Sequence, residues 1–117
     1  MKSYRDLIVW QKSVTMVTLV YKILADFPND EKFGLTSQIK RSSVSISSNI
    51  AEGYGRNYTK DYARFLQIAR GSLFEMQTQL QIAVNLRFIK DVDLEEIKSL
   101  SIEIEKMLNV LIKKLTS

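Results

Sequence analysis

The sequence predicts an all-α protein, an up-down-up-down antiparallel four-helix bundle, and three observations predict it. Four long segments carry apolar residues at three-four spacing, the period of a helix that buries one face. The 117 residues include one proline and four glycines, too little punctuation for many short strands. The breaks that do occur are brief, and short connections between long helices make antiparallel neighbours. Without repeats or low-complexity tracts, residues 1–117 read as a single domain, large enough for a core of its own.

The first helix is expected from about Asp6 to Asp26. Leu7, Trp10, Val14, Val17, Tyr21 and Leu24 form its bundle seam, and Met16, Val20, Ile23 and Phe27 form a second apolar row beside it. Two rows are more than one bundle core needs, so part of this surface is expected to face a partner. Pro28 stops the helix, because proline disfavours helical geometry in the residue before it.

The second helix starts between Phe33 and Thr36 and ends at Gly53-Tyr54-Gly55, where a glycine is available for a left-handed terminal position. Ile39, Ile46 and Ile50 mark its apolar stripe, yet Ser42, Ser43, Ser45, Ser47, Ser48 and Asn49 crowd the same turns. Such residues compete for backbone hydrogen bonds and are mediocre helix formers, so this helix must gain its stability from packing. Small side chains allow close approach of axes, and Gly71-Ser72 on the third helix offers a matching shallow surface. A mid-helix glycine costs roughly 1 kcal/mol against alanine, and close contact at Gly71 is the expected justification, with Gly71→Leu expected to disrupt it.

The third helix covers 59–87, capped by Asn57 or Thr59, with Tyr62, Phe65/Leu66, Ala69, Leu73, Met76, Leu80 and Ala83/Val84 as its seam. It frays around Arg87 to Ile89. Asp91 or Asp93 caps the fourth helix, whose seam is Leu94, Ile97, Leu100, Ile104, Met107/Leu108, Leu111 and Leu115. Glu95 and Glu96 in its first turn and Lys113 and Lys114 in its last complement the helix dipole.

Composition narrows the chemistry. There is no cysteine, which removes disulfides and thiolate catalysis, and no histidine, which removes the usual base near neutral pH and the commonest metal ligand. Glu52 and Glu75 sit among small residues, but a di-metal bundle also needs a histidine three residues after a glutamate, and positions 55 and 78 are Gly and Thr. No metal, no cofactor and no enzymatic activity are expected. Asn49, Glu52, Ser72 and Glu75 are expected instead to form a polar network between the central helices. No export signal is expected, since Arg5, Asp6 and Lys12 interrupt the start, and the run Val14–Ala25 is too short and too polar for a membrane span. A cytoplasmic protein is the expectation.

Net charge is +4, divided between a basic stretch over residues 1–90 and an acidic one over 91–117. That dipolar arrangement suits head-to-tail contact between subunits or a nucleic-acid face, and ordinary scatter of solvated charge is the plain reading beside it. For nucleic acid the candidates are Lys40, Arg41, Arg56, Lys60, Arg64 and Arg70, with Tyr54 and Tyr58 interleaved near the turn between helices two and three. Cations there would neutralise phosphates, and exposed tyrosines would stack on unpaired bases. The same residues fit subunit contacts or solvated surface.

The stretches L-I-V-W-Q at 7–11, F-P at 27–28, F-G-L-T-S-Q-I-K-R at 33–41, S-I-S-S-N-I-A-E-G at 45–53 and F-L-Q-I-A-R-G-S-L-F-E at 65–75 carry a resemblance. They resemble the bacterial four-helix-bundle family encoded in intervening sequences of 23S ribosomal RNA genes, over about residues 4 to 112. That family is in turn similar to the accessory protein of diversity-generating retroelements, a basic homopentameric barrel that binds nucleic acid and a reverse transcriptase. The resemblance implies a homopentamer and a non-catalytic protein that binds RNA or DNA. The alternative is a structural or adaptor protein that docks another protein through the same surface. Ser47 stands where many relatives carry proline, so no kink is expected there.

Overall fold

The computed structural model describes residues 2–117, and four long helices account for most of them. They are α1 (Ile8–Leu24), α2 (Leu35–Tyr54), α3 (Thr59–Asn85) and α4 (Glu95–Thr116). A 3-10 turn at Tyr4–Asp6 precedes α1, 3-10 turns at Asn29–Glu31 and Asp91–Leu94 lie in the first and third connections, and residues 55–58 link α2 to α3. The described residues contain no strand. Each helix packs against its sequence neighbours and α1 closes against α4, so the chain runs up and down around a square. The long dimension of 43 Å is the length of α3 itself, because 27 residues at 1.5 Å each make about 40 Å. Among the described residues no helix is long and apolar enough to cross a membrane.

The core runs through Met16 and Val20 of α1, Ile39, Ile46 and Ile50 of α2, Leu66, Leu73 and Met76 of α3, and Ile104 and Leu108 of α4, all fully buried. The expected seams of α2, α3 and α4 lie along this core, but that of α1 is turned. Its buried face is Val9, Ser13, Met16, Val20 and Leu24, while Val14 and Tyr21 point to solvent. The helical period shows that a broad apolar stripe exists, and with two rows present it does not show which is central. The buried Ser13, whose hydroxyl donates to Trp10 O at 2.7 Å, lets a polar position serve as core and tips the balance.

The pairing of α2 with α3 is the most extensive in the molecule, as the serine-rich filling requires. Ser42 Oγ donates to Gln79 Oε1 at 2.7 Å in a buried contact, and Ser45 Oγ meets Ser72 Oγ at 2.9 Å. Asn49 Nδ2 donates to the Ser45 carbonyl and hydroxyl at 2.8 and 2.9 Å. The polar network between these helices is therefore built on serine, asparagine and glutamine. Glu52 and Glu75 are both exposed, and Glu75 joins only through a long 3.4 Å contact from Gln79. A carboxylate gives up more hydration on burial than a hydroxyl or amide does, so the neutral groups take the seam.

Gly71 does not mark the close approach. It is exposed, and a Cβ there would meet nothing within 4 Å. The tight point is Gly53, where an added Cβ would lie 2.8 Å from Phe65 Cβ and 3.1 Å from Tyr62 Cδ1. Glycine at the end of α2 thus lets that end settle onto the first turns of α3.

The helix ends differ from expectation in a consistent way. Asp6 belongs to a 3-10 turn capped by Ser3, with Ser3 and Asp6 exchanging bonds as a capping box, and α1 begins two residues later. Neither Asn57 nor Thr59 caps α3: its N-cap is Tyr58, with no side-chain bond. A 3-10 turn takes up Asp91 and Asp93, and Leu94 precedes α4 without a capping bond. Gly55 ends α2 in right-handed geometry, and the left-handed position falls on Arg87 instead, at φ 65°. There Phe88 N donates to Ala83 O and Arg87 N to Val84 O, the paired bonds of a Schellman ending. α2 is unbroken at Ser47, whose hydroxyl donates back to Val44 O.

Candidate nucleic-acid interface

Antiparallel topology collects distant parts of the sequence at one end of the bundle. The start of α1, the turn between α2 and α3, and the last turn of α4 all lie there, and an open cleft of about 670 Å³ joins Thr59, Lys60, Ala63, Arg64 and Gln67 to Leu115 and Thr116. Lys2, Arg5, Arg56, Lys60, Arg64, Lys113 and Lys114 gather at this end against Asp6, Glu52 and Asp61. The opposite end carries Asp26, Asp30, Glu31, Asp91, Asp93, Glu95 and Glu96 against Lys22, Lys32, Arg87, Lys90 and Lys98, with Lys98 bonded to Asp91. Charge is therefore divided along the long axis. The last helix is acidic where it starts and basic where it finishes, which a count by sequence segment hides.

Within the basic end one cluster is built by packing. Gly53 brings α2 down on Phe65, and the chain then turns through Arg56 to Tyr58 before α3 begins. Arg56 Cζ lies 4.5 Å from the centroid of the Phe65 ring, and Arg64 Cζ lies 4.9 Å from it. The ring itself is buried, so it is a fixed platform holding two exposed guanidinium groups. Tyr58 projects from the turn at 72% exposure. Tyr54 and Tyr62 pack edge to face at 6.1 Å beneath the turn, and burial, then the neighbouring Tyr54, raises the Tyr62 hydroxyl above its ordinary pKa of 10.0.

Of the eight candidates, the structure brings Arg56, Lys60, Arg64, Tyr54 and Tyr58 together, although Tyr54 is half-buried. It separates the other three. Lys40 and Arg41 lie toward the far end of α2, about 24 Å from Arg56 at 1.5 Å per residue, and Lys40 Nζ covers the Tyr21 ring at 5.3 Å. Arg70 stands mid-bundle and donates to Asn109 Oδ1 at 2.9 Å, tying α3 to α4. Phe65 is the participant that sequence reasoning assigned to the core alone, and Lys113 and Lys114 were assigned to the helix dipole alone. The signal for the lysines was the topology, since the fourth helix of an up-down bundle must end beside the turn between the second and third. Among the described residues no group of three or more acidic side chains is placed to hold a metal ion.

Fold and surface together define a class: an all-helical, four-helix protein with one basic end. Residues 5–110 match the family described as 23S rRNA-intervening sequence protein, and the chain belongs to that family. Its fold is similar to the crystal structure of a protein with unknown function from the S23 ribosomal protein family, from Bacteroides thetaiotaomicron. The TM-score is 0.83 at 29% identity, over 91% of this chain and 99% of that one. No curated protein matches the chain significantly.

Proposed function

We propose that this protein is a non-catalytic, cytoplasmic bundle that assembles with copies of itself, as the pentamer the family likeness implies, and binds RNA or DNA through its basic end. The observation that carries the reading is the convergence of Arg56, Lys60 and Arg64 with the terminal lysines on one end of the molecule. A polyanion is the natural partner of such a field. Self-assembly is supported by the displaced apolar row of α1, where Val14 and Tyr21 lie exposed and Tyr21, with the half-buried Val17, shares a shallow pocket with the exposed Val44 of α2.

A salt titration of binding to structured RNA tests the first part. Affinity should fall steeply with salt, and the triple substitution Arg56→Glu, Lys60→Glu, Arg64→Glu should abolish it. Absence of binding at low salt, or binding indifferent to salt, refutes the reading. Light scattering tests the second, and a mass near 13.5 kDa at micromolar concentration refutes assembly. A protein-docking adaptor is the second reading, favoured by an apolar groove of about 370 Å³ between α1 and α4 lined by Ile8, Met107 and Val110. Partner binding that survives the triple substitution would favour it.

A further inference from the structure

Resting on the reading of the basic end as a nucleic-acid surface, the geometry points to a narrower ligand: a single strand with at least one unpaired base, not a duplex. Three observations at the turn between α2 and α3 carry this. First, Arg56 and Arg64 are held on the Phe65 ring at 4.5 and 4.9 Å, so two guanidinium groups of like charge share one small buried platform. Stacking on a ring uses none of their N–H donors, which stay exposed, and a phosphate is the group whose geometry matches a guanidinium fork. Second, Tyr58 lies two residues from Arg56 and is 72% exposed, a flat apolar face displayed on the same turn as the paired cations. Third, the amides opening α3 have no side-chain cap, which adds donors beside Lys60, with Asp61 the one carboxylate in that first turn.

The combination sorts ligands. A duplex hides its base faces in the stack and presents only phosphate, so Tyr58 would gain nothing from it. A single strand offers a phosphate and the face of the adjacent base within one nucleotide, which matches a cation pair next to a projecting ring. No base edge is read by these groups, so the preference is for strandedness and not for sequence.

Fluorescence anisotropy with a labelled single-stranded RNA of about 15 nucleotides, and with the same strand annealed to its complement, tests the inference on the intact protein. The single strand should bind more tightly. Tyr58→Ala should weaken single-strand binding about tenfold and leave duplex binding unchanged, from the usual value of one stacked base. Replacing Arg56 and Arg64 by lysine keeps the charge and removes the stacked forks. It should weaken single-strand binding by a similar factor with the salt slope intact. Equal or tighter duplex binding, or a Tyr58→Ala protein that binds the single strand normally, overturns the strandedness inference while leaving nucleic-acid binding standing. Failure to bind either probe at low salt overturns both. Tyr58 is exposed, so its replacement leaves the fold in place for the comparison.

Discussion

Gly53 and Gly71 should respond oppositely to the same one-carbon change. At Gly53 an alanine Cβ would sit 2.8 Å from Phe65 Cβ, 3.1 Å from Tyr62 Cδ1 and 3.3 Å from the Tyr62 carbonyl oxygen. Two of these are the backbone and first side-chain carbon of α3, which cannot swing aside, so α2 and α3 must separate. Overpacking of this kind costs about 1–3 kcal/mol, and alanine's better helix propensity returns at most about 1 kcal/mol of it. The expected result for Gly53→Ala is a net loss of about 1 kcal/mol, or a fall of roughly 4 °C in Tm for a domain of this size. At Gly71 the added carbon meets nothing, and only the propensity gain of about 0.5–1 kcal/mol is left, so Gly71→Ala should raise Tm. Thermal unfolding followed by circular dichroism measures both. A Gly53→Ala protein as stable as the Gly71→Ala protein would refute the claim that α2 rests directly on Phe65. It would also remove the reason for Arg56 being where it is.

Three further outcomes are expected. Ser42→Ala should cost about 1–3 kcal/mol in denaturant unfolding because it strands the buried Gln79 amide, whereas Ser42→Ala with Gln79→Leu should be near neutral; equal losses in the single and the double would contradict the pairing. Arg87→Gly should stabilise by about 0.5–1 kcal/mol, since glycine relieves the left-handed strain at φ 65° and gives back part of the gain through its freer unfolded chain; a lower Tm would argue against that geometry. Tyr62 binds its proton more tightly folded than unfolded, so its contribution to stability is full below pH 10.0 and declines as pH rises from there through the higher folded value. Tyr62→Phe should remove that part of the alkaline decline, and chemical denaturation of the two proteins at matched pH above 10.0 compares them.

The helix count, the breaks and three of the four core seams were legible because each rests on one periodic signal and one or two breakers. Pairing of the serine-rich α2 with α3 was legible for the same reason: mediocre helix formers in a regular stripe imply contact. What stayed hidden depended on three dimensions. Which row of α1 is central turns on the bundle's geometry, and the buried Ser13 hides it further. A glycine in a helix announces unusual packing or unusual tolerance, and sequence does not separate the two; Gly53 has the first and Gly71 the second. The left-handed helix end at Arg87 broke the rule that glycine takes that position, so no sequence signal marked it. For the candidate site, arginines near a turn were visible as a group, but Phe65 as their common support was not, because its spacing is that of an ordinary core residue.

The even number of helices has a practical outcome for anyone handling this molecule. Residues 2 and 117 lie at the same end of the bundle as Tyr58 and its arginines, so a tag or fusion partner joined at either place would stand at the end that carries that turn. The hairpin bends near Asp30 and Asp91 look the other way. A reporter inserted in one of those bends would leave the arginine-bearing tip uncovered.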